Sequence, residues 1–234
     1  MVGKIKSKEE VALGTLEVVF ETTEDFTFKP GQYCIVTLKN LNYPDERGPK
    51  RQFSINNSPN EKGVITITTR ISESGFKKTL KELPLGTEVE LGPIGGQFIL
   101  PENIQKPLVF IAGGIGITPF RSMLKYVAEQ KLPFIITLIY SNRDQASTAY
   151  LQEMQNYTQT IPNFKLIPTM TEDPNWPGEK RMINAEFIKE YFADINAQNY
   201  MVVGPPGMVA GVERTLFETG ILAENITKEN FTGY

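Results

Sequence analysis

The hydrophobic rhythm of this chain changes once, near residue 100, and that change constrains its folding more than any other feature. Before it, the β-branched or alternating runs 11–21, 32–38, 51–55, 64–71 and 88–91 read as short strands. Turn signals separate them: Pro30-Gly31, Pro44-Asp45, Ser58-Pro59-Asn60 and Leu85-Gly86. One short helical stretch, 75–83, carries Phe76, Leu80 and Leu83 on a single face. Many short strands with one small helix predict a closed antiparallel barrel, since closure removes exposed edges.

From Lys106 onward, continuous apolar runs (107–112, 134–140, 164–169, 200–203) alternate with helical patterns at 118–130, 148–157, 185–192 and 206–220. Strands buried on both faces lose period-two alternation, so this half predicts a doubly wound parallel sheet flanked by helices. The expected division is 1–102 and 103–234.

Composition mainly excludes. With no histidine in 234 residues, histidine-based hydrolysis, His-ligated haem and nearly all zinc catalysis are out of reach. Cys34 is the single cysteine, which excludes an intrachain disulfide and a four-cysteine cluster, and its strand-like neighbours predict a buried, inert thiol. No metal site is expected, and redox chemistry here needs an organic cofactor. A net charge of −3 gives no general case for nucleic acid or anionic membrane as partner. No apolar stretch approaches the roughly 20 residues of a membrane span, and the N-terminus MVGKIKSKEE lacks a secretory pattern, so a cytoplasmic chain is expected.

Five segments are candidates to carry chemistry. Gly113, Gly114, Gly116 and Thr118, in GGIGITP, lie between a buried strand and a helix. Glycine admits close backbone approach and the helix start offers free amides, a geometry that favours pyrophosphate. Thr118 is the expected N-cap, with Pro119 opening the helix. A tight, well-capped βα turn without ligand fits the same residues. Gly204, Pro205 and Met208, in GPPGM, form a second such loop on the same rim. Arg51, Gln52, Phe53 and Ser54 begin a strand, with Arg51 and Phe53 on one face, where they could hold a phosphate and a planar ring. Taken alone, these residues are more simply an ordinary solvated Arg beside a core Phe. Gly75, Phe76, Lys77 and Lys78 open the short helix and could receive a second phosphate on its amides. Finally, Phe231 and Tyr234 place aromatics at a terminus that would ordinarily fray.

In this order, RQFS (51–54), GPIGGQF (92–98), GGIGITP (113–119), GPPGM (204–208) and ENFTGY (229–234) resemble motifs of the ferredoxin–NADP reductase superfamily, which includes the reductase domains of flavohaemoglobins and bacterial oxygenases. The resemblance implies FAD as cofactor and NADPH or NADH as co-substrate. It implies that Arg51 pairs with a flavin phosphate, with Gln52 beside it. Phe53 would lie against the isoalloxazine and Ser54 would bond near flavin N5. Thr69, Arg70 and Ile71, with the amides of 75–78, would hold the ribityl and pyrophosphate region. Gly113, Gly114, Gly116 and Thr118 would seat the nicotinamide nucleotide, with Gly204, Pro205 and Met208 along its other side. Tyr234 or Phe231 would cover the flavin, and Glu229 is a candidate proton-relay carboxylate. Ser54, Thr118, Glu229 and Tyr234 are thus the implied catalytic residues.

The family's thiol before the GPP loop is replaced by Val203. Ser141 and Arg143 are expected to follow the second α/β strand, where an Arg fork suits a 2′-phosphate and leans the choice to NADPH. The implied activity passes hydride from NAD(P)H to bound FAD, then electrons to a separate acceptor, either a carrier protein or a small molecule. Two alternatives stay open: reduction of free flavin as substrate, and an electron-transfer subunit active only in a complex. Oligomeric state leaves no mark in the sequence.

Overall fold

A computed structural model describes residues 1–23, 26–103 and 105–232. Among them the contacts separate two units, Met1–Leu100 with Thr118–Tyr126, and Pro101–Ile117 with Val127–Tyr234.

The first unit is a six-stranded antiparallel sheet of β1 (Val2–Ala12), β2 (Thr15–Thr22), β3 (Tyr33–Thr37), β4 (Lys50–Ser54), β5 (Val64–Arg70) and β6 (Glu88–Gly95), in the order β4-β3-β6-β1-β2-β5. Its two edges meet where the Asn56 N–H donates to the Thr66 carbonyl (3.0 Å) and the Thr66 N–H donates to Asn57 Oδ1 (2.8 Å). This seam, rather than a further ladder, joins the edges of the expected barrel. Val18, Phe20, Val36, Ile65 and Ile67 are fully buried in its core, together with Phe76 and Leu80 of helix α1 (Gly75–Glu82). Cys34 is completely buried there, and burial pushes its thiol up to about 12, so it is inert as expected.

The expected strand 11–21 is corrected to a hairpin. Leu13 and Gly14 form the turn, with Gly14 at φ +67, and Val11 and Ala12 end β1. Most of β1 faces outward with charged residues, so no apolar alternation announces it.

The second unit is a parallel sheet in the order β11-β10-β7-β8-β9, built from β7 (Leu108–Gly113), β8 (Ile136–Asn142), β9 (Phe164–Met170), β10 (Asn199–Gly204) and β11 (Ile226–Asn230). Helices α3 (Leu151–Thr160), α4 (Ala185–Tyr191) and α5 (Pro206–Glu218) alternate with the strands, and α2 (Ile117–Gln130) follows β7 along the chain, its residues Thr118–Tyr126 being grouped with the first unit. All six residues of β7 are buried, as a central strand requires. From β7 the chain winds outward through β8 and β9, then returns to β10 on the opposite side. The connections after β7 and β10 therefore diverge, and such a switch point is where open α/β sheets bind ligands.

Other boundaries shift for local reasons. Helix α3 starts at Leu151 instead of 148, because residues 144–150 are wound into a turn by Ser147 N–H to Asp144 Oδ1 (2.8 Å) and Thr148 Oγ1 to the Asp144 carbonyl (2.6 Å). Strand β11 was not expected: its ITKEN sequence is largely polar and pairs only along β10. No helix among the described residues is long and apolar enough to cross a membrane.

Candidate functional site: a charged seat and a glycine rim

The first unit gathers its polar residues at the start of α1. Asp45 lies at the centre. Its Oδ2 accepts from the Phe76 N–H (2.9 Å) and from Ser74 Oγ (2.7 Å). Its Oδ1 accepts from the Arg47 N–H (3.0 Å) and from the Arg51 guanidinium. Both partners of the Asp45–Arg51 pair have side chains less than a tenth exposed. The Phe76 amide first, then Ser74, Arg51 and Arg47, hold the Asp45 carboxyl well below the ordinary carboxylate range against the opposing effect of burial.

Arg51 is wound in as tightly. Its other amino group donates to the carbonyls of Arg47 (3.0 Å), Gly48 (2.9 Å) and Lys50 (2.7 Å), and its guanidinium lies 5.2 Å from the Phe76 ring centre. Phe53, half-buried, has its ring 5.9 Å from Phe76, so alternation did put Arg51 and Phe53 on one face. Gln52 is exposed and Ser54 buried. Ser74 is the N-cap of α1, accepting from the Lys77 N–H. Lys77 is buried, and burial followed by the charges of Arg51 and Arg47 lowers its ammonium to about 8. Lys78 turns to the exposed Glu73.

The strand end 69–71, expected beside this seat, makes hydrogen bonds at the β1–β2 hairpin. Arg70 donates to Thr15 Oγ1 (2.6 Å) and to the Leu13 carbonyl (3.2 Å), and the Ile71 N–H donates to the Gly14 carbonyl (2.9 Å). Thr69 is buried, with its hydroxyl on the Arg70 carbonyl (3.3 Å). These three residues fasten the β1–β2 hairpin.

In the second unit, backbone packs on backbone. A Cβ on Gly116 would lie 2.3 Å from the Val203 carbonyl oxygen, one on Gly204 would lie 3.1 Å from Gly113 Cα, and one on Gly113 would lie 2.9 Å from Met208 Sδ. Gly114 has φ +52, in the left-handed region. The residues 113–116 and 204–208 thus form one rim at the switch point, lined by glycine. Thr118 is not the N-cap: a 3-10 turn over Gly114–Gly116 runs into α2, making Gly116 the cap and Thr118 the second helical residue, buried in the first turn. Pro119 then stands third, where its missing N–H costs nothing because early amides lack intrahelical partners. Pro205 and Pro206 open α5.

At the same rim the Phe231 N–H donates to the Gly204 carbonyl (2.9 Å), so this aromatic is fastened and not frayed. Tyr234 lies outside the described residues. Glu229 pairs with Val203 across β11 and β10; its Oε2 is buried without a hydrogen-bond partner among the described residues, and burial raises its carboxyl to about 7.

Ser141 lies inside β8, opposite Gly113 and Thr169, and not after it as expected; Arg143 follows it and is exposed. Beyond the ends of β8 and β9 is an open cavity of about 580 Å³, lined by Asp144, Gln145, Ala146, Glu172, Asp173 and Pro174. Both amide atoms of Asn142, at the end of β8, are buried without hydrogen-bond partners among the described residues. Among the described residues no His/Cys/Asp/Glu cluster could hold a metal ion.

Sequence reasoning missed Asp45 and this acidic cavity. Pro44-Asp45 reads as a turn, and only the fold carries its carboxylate to the α1 amides.

The sequence profile of the oxidoreductase NAD-binding domain matches residues 110–214. Terephthalate 1,2-dioxygenase reductase component 1 from a Comamonas species is 26% identical over 87% of this chain, which spans only 59% of that protein's length. A ferredoxin NADP+ reductase from Neisseria gonorrhoeae, solved with bound FAD and NADP, superposes with a TM-score of 0.83 over 98% of both chains at 20% identity, which shows the fold. Sulfhydrogenase 1 subunit gamma of Pyrococcus furiosus is 32% identical, covering 88% of this chain and 69% of its own. With that degree of likeness across the length of both proteins, the chain belongs to the ferredoxin–NADP reductase-like family of FAD/NAD-binding, NAD(P)H-dependent flavoprotein reductases.

Proposed function

We propose that this chain takes hydride from NADH onto bound FAD and passes the electrons to a separate acceptor, with residues 1–102 holding the flavin and 103–234 the nicotinamide nucleotide. The observation that carries the reading is the glycine rim at the switch point of the parallel sheet. Its packing clears side chains from the backbone beside the start of α2, and free amides with a helix dipole favour a pyrophosphate there.

The donors at the start of α1 fit the phosphate end of a flavin. They already seat one anion, Asp45, with a guanidinium, a hydroxyl and a helix amide, and Lys77 lies buried beside them. Bound FAD supplies the hydride acceptor and the release of electrons singly or in pairs. The chain's part is placement. Arg51 and the Ser74–Phe76 turn would hold phosphate, Phe53 would support the ring system, and the buried Ser54 hydroxyl would offer it a hydrogen bond. Gly113, Gly114, Gly116 and Thr118 would orient the nucleotide, with Gly204, Pro205 and Met208 opposite. Glu229, ionising near neutrality, is suited to hold or release a proton at its carboxylate.

The choice of NADH departs from the expectation that Arg143 raised. Asp144, Glu172 and Asp173 line the cavity beyond β8 and β9. Three carboxylates disfavour a 2′-phosphate, whereas a ribose hydroxyl can donate to one. The acceptor is proposed to be a protein, on the strength of relatives that are reductase components or subunits of larger assemblies. One observation favours the free-flavin alternative: the phosphate donors already hold Asp45.

The test is a visible spectrum of the desalted protein before and after anaerobic addition of each nucleotide. A yellow protein that bleaches faster with NADH is expected. A colourless protein that oxidises NADH only when flavin is supplied would shift the reading to free flavin. Faster bleaching with NADPH would overturn the nucleotide choice.

A further inference from the structure

We propose that Asp45 is an internal anion standing in for the flavin phosphate, so that phosphate binding must displace the loop that carries it. This deepens the flavoprotein reading and rests on it for the identity of the ligand. The donors engaged by Asp45 are those a phosphate would use: the Phe76 amide, the Ser74 hydroxyl and the Arg51 guanidinium. A phosphate and a carboxylate cannot share them, because each donor hydrogen satisfies one anion well.

Cationic side chains lie around the same donors: the charges of Arg51 and Arg47 act on the buried Lys77, and Asp45 accepts from the Arg51 guanidinium and the Arg47 N–H.

The loop is fitted to its place. Gly75 lies under it: a Cβ there would meet the Pro44 carbonyl oxygen at 2.3 Å. The Gly48 N–H closes the turn on the Asp45 carbonyl (2.9 Å), and the Arg51 guanidinium binds the Arg47 and Gly48 carbonyls. When a phosphate takes the Phe76 and Ser74 donors, Asp45 and residues 43–48 leave together. The cost of that departure lowers apparent flavin affinity by the fraction of molecules with the seat open. Asp45 therefore sets how firmly the chain retains flavin.

The test compares wild type with Asp45→Ala and Asp45→Asn, using inorganic pyrophosphate followed by thermal shift, and FAD and riboflavin followed by fluorescence. In Asp45→Ala, pyrophosphate and FAD are each expected to bind about tenfold tighter or more while riboflavin, which has no phosphate, is unchanged. Asp45→Asn should fall between. Unchanged or weaker pyrophosphate binding in Asp45→Ala overturns the proposal, as does an equal shift of FAD and riboflavin. If no flavin binds any form yet pyrophosphate tightens in Asp45→Ala, the internal anion stands and the flavoprotein reading falls. Should Asp45→Ala fail to fold, hydrogen exchange of the wild type decides. Added pyrophosphate should speed exchange at the Arg47 and Gly48 amides while Phe76 stays protected; unaltered exchange at Arg47 and Gly48 overturns it.

Discussion

The start of α1 and the turn from β7 into α2 both present helix amides that suit a phosphate, yet they are built from opposite materials. At α1 the site is made of side chains: two arginines, a buried lysine, a serine cap and an aspartate that occupies the donors. At α2 it is made of backbone, with Gly113, Gly116 and Gly204 packed so closely that any Cβ must displace main chain or Met208. A charged seat must be neutralised when empty, because buried charge without a partner is costly. A glycine rim carries no such debt and can stand open. Only the first region needs an internal anion.

That contrast can be broken by measurement. The largest effect is expected from Arg51→Ala, which strands the Asp45 carboxylate among partners chosen for it. Urea unfolding should show a loss of about 3 kcal/mol, less than for a fully dry pair because the loop can admit water. Adding Asp45→Ala should return at least about 1 kcal/mol of it, since the two residues share one network. A loss in the single variant no greater than that of a surface substitution would show that charge pairing does not hold this region.

Next comes Gly116→Ala, whose Cβ would meet the Val203 carbonyl oxygen at 2.3 Å. A cost of about 2 kcal/mol is expected, with weakened NADH binding. Gly207→Ala serves as the control, because its Cβ meets nothing within 4 Å in α5. It should be neutral or slightly stabilising, as alanine favours helix. Equal costs for the two would remove backbone interlocking as the basis of the rim.

A smaller effect is expected at Glu229. Its folded-state ionisation is raised to about 7 from an ordinary 4.5. The folded chain holds a proton that the unfolded chain has released, so stability falls as pH rises from about 4.5 to about 7. Glu229→Gln should remove this slope and be more stable by roughly 1–2 kcal/mol at pH 8, discounted for partial exposure. An unchanged profile would mean that the carboxylate reaches water.

The smallest effect tests whether Lys77 belongs to the seat. Lys77 ionises near 8, so at pH 9 much of it is neutral. Pyrophosphate arriving there should restore its proton, an uptake of up to about one per site. Binding heats measured in buffers of different ionisation enthalpy report this directly. No buffer dependence at pH 9 would place Lys77 outside the seat.

Much of this was legible in residue order. Burial on both faces makes a strand continuously apolar, so LVFIA and TLIY announced β7 and β8, and the glycines after them marked the rim. RQFS placed Arg51 and Phe53 on one face because a strand alternates regardless of its neighbours. Polar strands were invisible: β1, though interior to its sheet, faces solvent along most of its length, and the edge strand β11 is stabilised by one partner strand. Thr118 was taken for a cap because its residue type suits the role, but the 3-10 turn before it moved the helix start to Gly116.

The sequence by itself therefore determined the two halves, the positions of the glycine-rich and arginine-bearing loops and the exclusion of histidine and thiol catalysis. These follow from periodicity, glycine's missing side chain and residue types that are absent. Only the tertiary structure decided what occupies those loops. Asp45 lies thirty-one residues from the Phe76 amide that binds it, and Val203 lies far along the chain from the Gly116 that must make room for it. Such pairings depend on which strands become neighbours, and the order β11-β10-β7-β8-β9 is a property of the whole sheet, not of any local pattern.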